Sequence, residues 1–353
     1  MLENFNYQIN LIKRLLVREY PILSRFLTVN YGIDNKKLKE DEESDKHYLM
    51  GASDDKIEWK VINPESNYLQ QAREMINELQ KGRFVETMGC TGYALNNVEE
   101  LIEITKGYER INRSDRFLNK ISGTTKRGNS LSNVLECRRQ YGFVREEDWT
   151  WDRDKFRWYD YYAPLPPEVK DKALINNKIY DFGYDGVWAT KSMLHEALKY
   201  SPLYVALYAW YERGGLYYSV GRANHASVII NRDTFIDYDS YEPHIKYLSE
   251  GFKVYYVKRI HLEKREKMFN EENIQNLIKE GRKYVIRPNS NGEFYKIYKD
   301  RLEFIPDIKV IADQVAKDLK QSPKDVNTML KFLTDTTKEL KWISEKEYNN
   351  LLK

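Results

Sequence analysis

A chain of 353 residues is long enough to bury a sizeable core, in one large domain or two of ordinary size. Its 28 Tyr, 13 Phe and 7 Trp exclude a disordered chain, and 57 Lys and Arg against 54 Asp and Glu leave a net charge of +3, which gives no argument for nucleic acid as the main partner. Two cysteines, Cys90 and Cys137, exclude a disulfide scaffold and fit a reducing compartment, although counting alone leaves room for one bridge.

The N-terminus, Met1-Leu2-Glu3-Asn4-Phe5-Asn6-Tyr7, lacks the basic and apolar regions of a secretory signal, and no run of eighteen apolar residues occurs anywhere. A cytoplasmic protein without a membrane span is therefore expected. Phe5, Ile9, Ile12, Leu15, Leu16, Leu23 and Phe26 recur at mostly helical spacing, with Pro21 interrupting the helix. The mixed-charge run Asp34 to Lys46 reads as a solvated loop or linker. Residues 1–45 are thus read as a helical extension with a charged linker, a packing role being favoured and a propeptide the alternative.

Helices are predicted over Tyr68 to Leu79, Cys90 to Thr105 and Asn129 to Tyr141, the last ended by Gly142. The aromatic, proline-rich stretch Tyr159 to Pro167 reads as an ordered loop. A short helix follows from Thr190 to Tyr200, capped by Thr190 and stopped before Pro202. Strands are predicted at 203–211, 217–220, 225–230, 234–238 and 253–257, with turn residues between them. Helices first and sheet second argue for an α+β chain. Beyond His261 come a charged helical stretch, a hairpin from Lys283–Arg287 and Phe294–Tyr298 around Pro288 to Gly292, and helices over 307–353.

Cys90 carries the chemistry. It follows Met88-Gly89 and opens an amphipathic helix pattern, so its thiol meets the positive end of the dipole and unpaired N–H groups, which favour the thiolate. Such a nucleophile needs a base, and the base needs an orienter. Of the five histidines, His225 alone opens a β-branched strand just after a turn. The following strand ends at Phe235-Ile236-Asp237-Tyr238-Asp239, and Asp237 and Asp239 share a face by the two-residue alternation of a strand, so either can orient His225. Cys137 reads as a helix-packing residue. Gly123 to Ser130 mimics a phosphate loop but carries Asn129 where the lysine belongs, and neither cysteine has a zinc-ligand neighbour.

Cysteine at a Gly-Cys-x-x-x-Ala-Leu helix start, Asn224-His225-Ala226 opening a strand and Asp239-Ser240-Tyr241 closing the next resemble, in this order, a papain-like cysteine peptidase. Phe84 to Leu101, Ser122 to Ser130 and Asn224 to Ala226 are similar to divergent bacteriophage and bacterial members. The resemblance covers residues 46–260 and implies an α+β papain-like fold, a helical half and an antiparallel β half with the cleft between them, between extensions 1–45 and 261–353. It implies a catalytic set of Cys90, His225, Asp239 and Gln80, with Asp239 preferred over Asp237 because it stands at the family's Asn-Ser-Trp position. Gln80, ten residues before Cys90, stands for the oxyanion glutamine, and Thr91 replaces the family's Trp. By the same analogy Gly123, Gly128 and Asn129 bind an extended protein or peptide substrate. No metal or organic cofactor is implied. A transglutaminase-like acyltransferase, or a weakly catalytic scaffold in a viral structural role, would share these residues.

Overall fold

The computed structural model describes residues 57–264 except 77, 222 and 239–243, short stretches at 8–10, 12–13, 32–34 and 36–37, residue 279, and four strands in the C-terminal region. The chain divides into two compact units, residues 1–263 and 264–353. The helix expected over 5–27, most of the charged run 34–46 and the helices expected over 307–353 fall largely outside the described residues.

After short helical stretches at residues 8–10, 12–13 and 36–37, the first unit carries α1 (Leu69–Ala72), α2 (Cys90–Lys106), α3 (Asp115–Ile121), α4 (Leu131–Tyr141), α5 (Trp158–Tyr161) and α6 (Pro167–Asn176). Next come β1 (Tyr180–Val187), α7 (Lys191–Ala197), β2 (Leu203–Leu207), β3 (Trp210–Arg213), β4 (Leu216–Ser219), β5 (His225–Asn231), β6 (Thr234–Ile236), β7 (Ile245–Leu248) and β8 (Val254–Lys264). These strands form one eight-stranded sheet in the order β1-β8-β2-β5-β6-β7-β4-β3. It is mixed, because β4 runs parallel to β7 while β2, β5 and β6 pair antiparallel. Helices before sheet, as the sequence predicts, give an α+β architecture, with only β1 out of place.

α2 is the axis of the unit. Its buried residues include Cys90, Ala94, Leu95, Val98 and Leu101, in one core with Val205, Ala226, Val228 and Ile230 of β2 and β5. Gly107, at φ 66°, ends it by returning its N–H to the carbonyls of Glu103 and Ile104. A buried ion cluster braces the same helix. Glu99 accepts from Arg138 Nε at 2.8 Å and forms an ion pair with Arg113, whose Nε lies 2.9 Å away, while Glu103 lies 2.5 Å from Arg113 Nη2. Hydroxyl caps set the other starts: Ser114 accepts from Phe117 N–H, Ser130 from Asn133 N–H and Thr190 from Met193 N–H.

Several elements differ from expectation. The strand expected over 203–211 breaks at Tyr208-Ala209, where the Asn224 side chain accepts from Ala209 N–H at 2.9 Å and Asn224 N–H donates to Leu207. The helix expected over 68–79 is helical only through Ala72. α6 starts on Pro167, since proline at the first helical position loses no hydrogen bond that it could have made. α3, β1 and β7 go unpredicted; β1 carries two Gly and two Asp, which mask its strand character. Among the described residues no helix is long and apolar enough to cross a membrane.

The second unit holds β9 (Tyr284–Arg287), β10 (Glu293–Ile297), β11 (Leu302–Ile305) and β12 (Leu340–Trp342), in the order β11-β10-β9-β12. β9 and β10 pair antiparallel with Phe294 opposite Ile286, the hairpin expected here, and β12 lies parallel to β9.

Candidate active site

Cys90 is the first residue of α2, and a tight loop delivers the chain to it. Lys81 bridges Glu86, and Gly82 N–H donates to Val85. The Thr87 hydroxyl donates to Gln80 O at 2.6 Å and accepts from Gly89 N–H at 3.3 Å, while Tyr162 holds Thr87 O at 2.7 Å. Met88 sits buried at φ 54°, a left-handed backbone held by these flanking bonds. Asn119 packs so closely that a Cβ at Gly89 would fall 2.2 Å from its Nδ2 and one at Gly92 2.4 Å from its Oδ1. Glycine on both sides of the cysteine therefore lets α3 approach the start of α2.

His225 opens β5 opposite Leu207 of β2. Its Nε2 meets Asp237 Oδ1 at 2.6 Å, and its ring also hydrogen-bonds the Cys90 side chain, a contact that falls to the remaining nitrogen, Nδ1. Cys90 Sγ further accepts the Ala226 N–H at 3.3 Å. Burial pulls the imidazole toward neutrality, but the charge of Asp237 and the sulfur of Cys90 outweigh it and hold His225 well above its ordinary range. Trp210 stands edge-on to the His225 ring at 5.2 Å and shields the pair from water. All three side chains are buried.

The carboxylate that meets His225 is therefore that of Asp237. Asp239, preferred on the resemblance, lies outside the described residues. Val228 pairs with Ile236, so residue 237 stands diagonally across from His225, within reach of a long cross-strand contact. Asp237 N–H is itself fixed by His244 O at 2.9 Å.

Gln80 is buried and tied to both sides of this site. Its N–H donates to Tyr238 O at 3.1 Å, and its carbonyl holds Thr87, two residues from Gly89. Residues 81–86 form a closed loop between Gln80 and Cys90. Thr91 turns inward, its carbonyl accepting the Tyr204 hydroxyl at 2.9 Å.

Asn129 is buried and anchored through its side chain to Ser122 and Thr124, and Thr125 and Gly128 close the turn before it. Its backbone is engaged by the chain's own residues 32–34. Asn129 N–H donates to Gly32 O and Asp34 N–H donates to Asn129 O, each at 2.9 Å. Gly128, at φ 96°, touches this segment so closely that a Cβ there would overlap Gly32 O. Gly123 lies at φ 67° with open space around it. Gly32, at φ 119°, lies over Cys90, and its own Cβ would come within 2.8 Å of Cys90 Sγ.

Asp34 consequently is buried, with Arg127 Nε 3.5 Å from its carboxylate, where the charge pattern reads as a solvated run. The sequence reading also missed Trp210 and Lys246, which flank His225 and Asp237. Their signal, an aromatic and a lysine in short strands, does not differ from ordinary surface alternation. Cys137, by contrast, sits half-buried as a packing thiol. Its S–H points at Ile121 O and burial raises its pKa, and both cysteines are free.

No protein-family model and no curated protein sequence matches the chain. Among solved structures, the ragweed pollen allergen Amb a 11, a cysteine protease in its proform, is similar at 14% identity and a TM-score of 0.41, over 65% of this chain and 76% of that one. A Carica candamarcensis cysteine protease in complex with E-64 is 12% identical, with a TM-score of 0.40 over 57% of this chain and 98% of that one. Xylellain, a cysteine protease from Xylella fastidiosa, is 14% identical with a TM-score of 0.40, over 52% and 82%. These three solved structures are papain-like cysteine proteases.

Proposed function

We propose that the chain is a papain-like cysteine peptidase in which Cys90, His225 and Asp237 form the catalytic triad. The observation that carries this reading is the hydrogen-bonded line from Cys90 Sγ through the two nitrogens of His225 to Asp237 at 2.6 Å, at the start of a 17-residue helix. Nδ1 takes the thiol proton and Nε2 donates to Asp237, which keeps the ring in one orientation.

The thiolate attacks a peptide carbonyl, forming the C–S bond and an oxyanion. Two donors are assigned to that oxyanion, the Cys90 N–H and the Gln80 carboxamide. The imidazolium then gives its proton to the leaving amine as the C–N bond breaks. Water, deprotonated by His225, opens the thioester and releases the acid. Asn129, flanked by Gly123 and Gly128, is assigned to pair with the extended backbone of the substrate. Residues 32–34 occupy that place in the described form, so turnover requires them to leave.

A chloroacetamide thiol probe tests the reading on the full chain and on a chain lacking residues 1–45. Cys90→Ala is expected to abolish labelling at unchanged Tm. Labelling confined to Cys137 in the wild-type protein would overturn it. Peptide pools with and without an added amine then separate hydrolysis from acyl transfer by product mass.

A further inference from the structure

The far side of Asp237 holds a cation that a Cys-His-Asp triad does not require. Lys246, in β7, has a side chain only 2% exposed, and its Nζ lies 3.4 Å from Asp237 Oδ2 and 3.3 Å from Asp237 O. Its position follows from register: Phe235 of β6 pairs with Lys246 next to the strand end that carries Asp237. Two aromatic rings roof it, with Trp210 at 5.9 Å and Tyr217 at 5.7 Å from Nζ. Trp210 is the same ring that stands edge-on to His225.

Burying an ammonium costs several kcal/mol unless a partner compensates it, so this placement calls for a reason. Charge conservation supplies one. With Lys246 charged, the four side chains sum to zero both as thiol, neutral imidazole, carboxylate and ammonium, and as thiolate, imidazolium, carboxylate and ammonium. Without it, the site carries an uncompensated negative charge in both states.

We propose that Lys246 is a positioning residue of the site: a buried cation that clamps the outer oxygen and the main-chain carbonyl of Asp237, so that the inner oxygen is presented to His225 in an electrically neutral group of four. The proposal rests on the triad reading. The titratable and charged groups around Lys246 are Asp237, His225 with Cys90 behind it, the Tyr217 hydroxyl on β4, Glu212 on β3, whose charge reaches Tyr217, and His244 ahead of β7.

The test follows the His225 ring by NMR in the full, histidine-labelled chain, with the signal assigned by its loss in His225→Gln. Lys246→Met removes a positive charge that opposes protonation of the ring. Its titration midpoint is expected to rise by about one pH unit, a tenfold change in the protonation constant. Lys246→Arg, which restores the charge, is expected to stay within about 0.3 unit of wild type. If Lys246→Met fails to fold, Lys246→Gln keeps a donor without the charge and gives the same reading. A midpoint that does not move or that falls in the neutral variant, or an arginine variant that shifts as much as methionine, overturns the proposal. Failure of the triad reading shows separately, as a wild-type His225 midpoint that Cys90→Ser leaves in place.

Discussion

At the scale of single residues, the site depends on electrostatic pairs in a space closed to water. His225 has an acid neighbour on one nitrogen and a thiol on the other, and both raise its affinity for a proton against the pull of burial. The sign of a substitution follows. Asp237→Asn removes the larger of the two charges, so the imidazolium loses its proton at lower pH and the thiolate–imidazolium pair survives over a narrower range. The alkaline limb of Cys90 labelling is expected to move down by at least one pH unit, read as the alkylation rate between pH 5 and 10. An unmoved limb would remove Asp237 from the site. Sequence made Cys90 and His225 legible because each opens an element, where position alone marks a side chain. Alternation left Asp237 and Asp239 level, because a two-residue period cannot tell them apart, and the family resemblance put Asp239 first. The 2.6 Å contact between His225 Nε2 and Asp237 Oδ1 is a tertiary one, and no local pattern records it.

At the scale of elements, α2 must hold its first residue steady, and the charge cluster along its buried side is placed to do so. Glu99 is fully buried between Arg113 and Arg138, and Arg113 stacks on Phe143 at 4.7 Å. Glu99→Gln leaves guanidinium charge without its counterion and is expected to cost about 3–5 kcal/mol, measured by urea unfolding. Glu109→Gln is its control. The pair with Arg145 is exposed, and the change is expected to stay within about 0.5 kcal/mol. The boundaries of α2 and α4 were legible because glycine and hydroxyl caps state them locally. α6 was not, because its proline start reads equally well as a loop. β1 and β7 were hidden for a related reason. Their pairing partners lie far along the chain or beside a strand of three residues, and no local pattern records that.

At the scale of the first unit, the chain covers Cys90 with its own residues. Residues 32–34 lie over Cys90 and Asn129, held by main-chain bonds and by contacts that tolerate only glycine at position 32. Gly32→Ala puts a methyl group against Met88 O and Cys90 Sγ at a φ of 119°, which costs an ordinary residue about 1–2 kcal/mol before the contact is counted. The segment is expected to lift, raising the rate of Cys90 labelling about tenfold, and mass spectrometry of the alkylated peptide reads it. An unchanged rate would mean that the segment does not limit access. Nothing in the composition of Tyr31-Gly32-Ile33-Asp34 announces this role. The segment gains it from distant backbone, and tertiary contacts of that kind leave no periodicity.

Gly128 extends the point to anything else that would lie there. With no side chain at this position, and with the Gly32 carbonyl too near to admit one, Gly128 meets its neighbour through peptide groups alone, while Arg127 beside it reaches Asp34. A surface of that sort discriminates by the straightness and direction of a polypeptide, and it is indifferent to most of the letters the polypeptide spells. For the proposed peptidase, selectivity for sequence would then come from the walls on either side.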